Sequence, residues 1–171
     1  MKKISLIVIL ISMISSSSTA QNTVLSSFLM KWNNSKNYLI EIAEAMPEEN
    51  FKYKPTEREM SFKEQLIHIR SNMIWLSETY FTTTDYKKSE KINPKTKQEV
   101  INELTNAFIK VEEIIKKVDE NDLTTEVDFF AGPKSKLQIL NLLQDHVSHH
   151  RGQLIVYLNL NSIIPPKYTG W

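Results

Sequence analysis

Four separate stretches of this chain repeat apolar residues at three- and four-residue steps, and no other feature limits the fold so strongly. The first runs from Val24 to Met46, with Phe28, Trp32, Ser35, Leu39, Ile42 and Met46 on one side and Pro47 at its end. The second should start near Ser61, where Ser61 and Glu64 match a capping box, and it carries Phe62, Leu66, Ile69, Met73, Leu76 and Tyr80. The third spans Lys97–Val118, apolar along Val100, Leu104, Phe108, Val111, Ile115 and Val118, with Glu and Lys on its other side. The fourth covers Ser135–Asn159, and Pro165 and Pro166 keep it from running much further. Between them, Glu48–Glu59 should be extended or turn-like, because Pro55 disfavours helix before it. Thr82–Pro94 reads as a polar loop. Val127, Phe129 and Phe130 read as a short extended segment before the turn Ala131-Gly132-Pro133. With only three glycines, a turn-rich β fold or a glycine-rich phosphate loop is disfavoured. The expected fold is all-α, a four-helix bundle in one domain over 21–171, either up-down or with one longer crossover.

Residues 1–20 are set apart. Lys2 and Lys3 precede an apolar run from Ile4 to Ile14, and small residues follow, with Ser18 and Ala20 placed for a cut before Gln21. This is the outline of a secretory signal peptide. The run is well short of the ~20 residues that span a bilayer, so no stable membrane span is expected after cleavage. The expected location is outside the cytoplasm, periplasmic or extracellular. The chain has no cysteine, so neither disulfides nor a protein thiol enter its chemistry. Charge is balanced, 21 Lys+Arg against 20 Asp+Glu, which gives no basic field for nucleic acid.

The chain has four histidines, and three of them fall in His146-Val147-Ser148-His149-His150. On a helical wheel with Leu143 at zero, His146 lies at about −60° and His150 at about −20°, both on the core-facing stripe, while His149 lies near −120° on the flank. An i,i+4 pair points two imidazoles the same way one turn apart, the spacing by which one helix offers two ligands to one ion. Two imidazoles on an apolar face are costly unless bonded. His68 sits at the edge of the second stripe with Asn72 and Trp75, where it could be a lone histidine or a third ligand. Rival motifs fail: there is no His-Glu-x-x-His, no Glu-x-x-His and no Gly-x-Ser-x-Gly.

The string Asp145-His146-Val147-Ser148-His149-His150-Arg151-Gly152-Gln153 resembles the signature in the last helix of the DinB/YfiT-like superfamily. Ser61 to Ile69 is similar to its first ligand segment, Met46-Pro47-Glu48-Glu49 through Tyr53-Lys54-Pro55-Thr56 to its linker, and Ile164-Pro165-Pro166 to its ending. The resemblance implies a four-helix bundle with a three-histidine metal site at His68, His146 and His150, and often a homodimer. His149 is not implied as a ligand. Some members are thiol-dependent S-transferases or isomerases. Of the neighbouring residues, Gln153 could orient a histidine, Arg151 could hold a carboxylate of the protein or of a substrate, and Gly152 could admit another helix or subunit.

Three function classes remain. A divalent-metal-dependent enzyme would use the coordination positions that three histidines leave open, for thiol transfer or hydrolysis of an unknown small molecule. A binding protein would use the same site without turnover. A structural bundle would hold its histidines as relicts. Imidazole-rich sites suit several metals; zinc or nickel is placed ahead of iron or manganese.

Overall fold

The structure is a computed structural model that describes residues 23–83 and 92–169. The signal-peptide expectation over 1–20 and most of the expected loop after Thr82 lie outside these residues. Four helices form: α1 (Val24–Ala45), α2 (Phe62–Phe81), α3 (Lys97–Ile115) and α4 (Lys136–Leu160). A pair of two-residue antiparallel strands, β1 (Glu126–Val127) and β2 (Lys134–Ser135), closes the turn before α4. The extended stretch is thus shorter and earlier than the expected Val127–Phe130.

Each helix starts where a short polar side chain can satisfy the free N–H groups of the first turn. Thr23 caps α1. Ser61 with Glu64, Thr96 with Glu99 and Ser135 with Gln138 form reciprocal capping boxes on α2, α3 and α4. The linker after α1 is more ordered than expected, because Glu48–Lys52 winds into a 3₁₀ helix that buries Phe51. The end of α4 is set before the prolines. Ile163 N–H donates to the Leu158 carbonyl at 2.9 Å and Ser162 N–H to that of Asn159 at 3.0 Å, with Ser162 at φ 57°. This is a Schellman stop with serine in the place glycine usually takes.

Helix α2 packs on α3 and α4, and α1 packs on the same two, so α1 and α2 sit at diagonal corners. Directions follow from paired residues. Phe62 meets Tyr157 while His68 meets His150 and His146, so α2 and α4 are antiparallel. Arg70 pairs with Glu103 and Glu78 with Lys110, so α2 and α3 are parallel. Of the two topologies expected, this is the one with a longer crossover, lying between Phe81 and Lys97. The core runs through all four helices; Trp32, Leu39, Ile42, Phe62, Leu66, Ile69, Leu104, Phe108, Leu143 and Leu154 are almost wholly buried in it. Trp32 satisfies its indole N–H on the Phe108 carbonyl at 3.1 Å. No described helix is long and apolar enough to cross a membrane.

Candidate metal centre

The antiparallel contact of α2 with α4 carries His68 across to the i,i+4 pair of α4. The candidate ligand nitrogens of His68, His146 and His150 all lie within 4.8 Å of one another. His68 Nε2 and His146 Nε2 face each other at 3.0 Å. His150 is 6% exposed, whereas His68 lies at the solvent edge, so the cluster is anchored inside and open at its rim. The wheel positions expected for His146 and His150 are met, and the edge position of His68 is what lets it reach a neighbouring helix.

A relay of oriented side chains fixes the ring of His150. Its Nδ1 lies 2.5 Å from Gln65 Oε1 and 3.0 Å from Gln153 Oε1. Gln65 Nε2 donates to the Tyr157 hydroxyl at 3.3 Å, and that hydroxyl donates to the Met60 carbonyl at 2.8 Å. The last acceptor is a backbone carbonyl, so every proton in the relay is directed. Gln65 must offer its oxygen to His150, whose Nδ1 then carries the hydrogen and whose Nε2 is left with a free lone pair. This is how a second layer of hydrogen bonds prepares a histidine for a cation. Gln153 does what was expected of it. Gln65 and the Tyr157 hydroxyl were missed; the available signal was a polar residue, 1% exposed here, on the same stripe as Phe62, Leu66 and Ile69.

All three imidazoles are held neutral. Burial, then the neighbouring rings of His150, His68 and His149, bring the pKa of His146 down to about 3. Burial and His68 bring that of His150 to about 4, against a smaller upward pull from Gln153. Desolvation lowers His68 as well. Neutral imidazoles are the form a metal needs. An ion about 2.0–2.1 Å from each nitrogen spaces tetrahedral donors by roughly 3.4 Å. The 3.0 Å pair is close to that spacing, and the third nitrogen lies within 4.8 Å of both. Two lone pairs facing each other also need a shared proton or a cation between them. The three histidines therefore could hold a metal ion. Among the described residues, no fourth His, Asp or Glu joins the group.

The remaining motif residues face elsewhere. His149 is exposed, edge-on to the His150 ring. Arg151 is buried against α1, where Nη1 donates to Ser35 Oγ at 3.3 Å and the guanidinium lies over the Tyr38 ring at 5.1 Å. It therefore points away from the histidines and makes a structural pairing with Ser35 and Tyr38. Gly152 has open space where a side chain would be, so among the described residues no helix exploits its small size.

A family model described as "DinB family" matches residues 18–168. Among curated proteins, the uncharacterized protein YjoA of Bacillus subtilis (strain 168) is 28% identical over 145 residues, covering 80% of this chain and 88% of that one. The crystal structure of that DinB-like protein superposes with a TM-score of 0.68 at 19% identity, over 84% of this chain and 96% of that chain. A DinB-like protein from Bacillus cereus ATCC 10987 superposes with a TM-score of 0.69 at 19% identity, over 82% and 95%. At that identity the superpositions speak for the shared bundle.

Proposed function

Because the chain belongs to the DinB family, we propose that His68, His146 and His150 bind one divalent metal ion, zinc or nickel ahead of iron or manganese, and that the protein is a metal-dependent enzyme acting on a small molecule. The observation that carries this reading is the directed relay Met60–Tyr157–Gln65–His150, which leaves the His150 Nε2 lone pair free for a cation. Such an ion, when bound, supplies Lewis acidity that lowers the pKa of a group brought to its open side. The chain's own part is to hold three neutral imidazoles in place and to keep one edge open at His68.

Amides surround the histidines: Gln65, Gln153 and, one turn along α2, Asn72. Among the described residues no carboxylate joins the three histidines or is hydrogen-bonded to their rings. That favours transfer to a thiol, which asks less of the protein, over hydrolysis. The alternative of binding without turnover is less well supported, since a carrier site would gain from a fourth protein ligand. The signal-like outline of residues 1–20 supports export, and the exposed Val156 and Leu160, flanking the open Gly152 face of α4, support a homodimer.

Metal content by mass spectrometry on tag-free protein, beside a His146→Ala/His150→Ala variant, tests the reading. Near one equivalent of a single metal, lost in the variant, is the expected result. No metal after incubation with zinc, nickel, manganese and iron(II) would overturn it.

A further inference from the structure

The histidine cluster stands at one end of a strip that the proposed function does not use. His68, Asn72, Trp75 and Thr79 lie on one face of α2, at steps of four, three and four residues. On α4, which runs the other way, Leu142 stands one turn before His146 and is 36% exposed. Beyond it, the turn leading into α4 brings two more rings to Trp75. Phe129 stacks on Trp75 at 6.2 Å and 23°, and Phe130 lies 6.4 Å from it at 31°. Tyr80 closes the group edge-on to Trp75.

Two facts separate this strip from ordinary packing. First, Phe130 is 83% exposed although its turn is well fixed. Gly132 N–H donates to the Phe129 carbonyl at 2.9 Å. Lys134 Nζ donates to the carbonyls of Ala131, Gly132 and Pro133 at 3.1, 3.2 and 3.0 Å. The aromatic ring is thus presented to solvent by a turn that its own hydrogen bonds hold in place. Second, Asn72 Oδ1 and Thr79 Oγ1, on either side of Trp75, are buried with no hydrogen-bond partner. Such atoms cost the fold unless something completes them. The strip begins at the open rim at His68.

We infer that the strip from His68 and His146, past Asn72 and Leu142, to Trp75 and Phe130 is a subsite of the histidine centre for a small organic molecule bearing a metal-coordinating donor at one end and a flat apolar group at the other, a proposal that rests on the metal reading above. Seven residues of helix separate His68 from Trp75, so the two ends of the molecule lie about 10 Å apart. The flat group packs on Trp75 and Phe130.

The test compares two hydroxamates by calorimetric titration of the zinc-loaded protein: acetohydroxamic acid, which has only the coordinating end, and 4-phenylbutyrohydroxamic acid, which adds a ring on a spacer. The aryl probe should bind about tenfold tighter. That advantage should shrink severalfold in Phe130→Ser, whose exposed site leaves folding intact, and in Trp75→Leu, with acetohydroxamate affinity unchanged in both. Equal affinities in the unsubstituted protein, or an advantage that survives both substitutions, would overturn the subsite while the metal centre stands. Failure of the unsubstituted protein to retain zinc would overturn the metal centre and the subsite together.

Discussion

Gln65 shows how much of a site can depend on a residue that touches neither solvent nor, in the proposed function, the ion. Its oxygen accepts from His150 only because its amide N–H groups are directed to Tyr157. Gln65→Leu removes that orientation while keeping volume, and should weaken zinc affinity by about 10–100-fold in competition with a chromophoric chelator. Binding as tight as in the unsubstituted protein would mean that packing alone orients the ring. The histidines also make a pH prediction. Their folded-state pKa values, about 3 and about 4 for His146 and His150, lie below the ordinary 6.5. The unfolded chain therefore takes up protons first as pH falls. The histidines' contribution to the stability of the metal-free protein is complete above the ordinary value and is lost as pH falls toward about 3, the folded-state value of His146. Thermal melts in EDTA should show this decline, and His146→Gln should flatten it. The capping carboxylates Glu64 and Glu99, held below the usual range by the N–H groups they accept from, lose their contribution only at lower pH.

At the scale of the element, the helix starts were legible because a capping box is local chemistry: a hydroxyl and a glutamate three residues apart suffice at Ser61 and Glu64. Ser61→Ala should cost about 1 kcal/mol in chemical denaturation. The stop of α4 is made at Ser162, three residues before the prolines at 165 and 166, by a backbone turn that no residue type announces there. A serine at φ 57° carries a strain that glycine does not. Ser162→Gly should therefore stabilise the protein by roughly 0.5–1 kcal/mol. Gly152→Ala should add about 1 kcal/mol, because the position is in mid-helix and nothing stands within 4 Å of an added Cβ. If the second substitution instead loosens a dimer in light scattering, Gly152 belongs to a contact between subunits.

For the molecule as a whole, the histidine cluster ties α2 to α4, two elements far apart in sequence. An ion bound there favours the folded state alone, so zinc at a hundredfold excess over its Kd should raise stability by about 2.7 kcal/mol. A rise in Tm on zinc addition, reversed by EDTA and absent in His68→Ala, is the expected outcome. A rise that persists without His68 would confine the site to α4.

The sequence by itself determined the four helices, the capping box at Ser61 and the placement of His146 with His150, because period, capping and an i,i+4 step all operate within a few residues. Its likeness to a known signature pointed to His68, but the residue pattern left that histidine open. Only the tertiary structure decided that α2 lies antiparallel to α4, which brings His68 to 3.0 Å from His146 and Gln65 to His150. It also decided that Arg151 faces α1 and not the histidines. Such outcomes depend on which helix faces which, and that is set by the summed packing of a core no single segment contains.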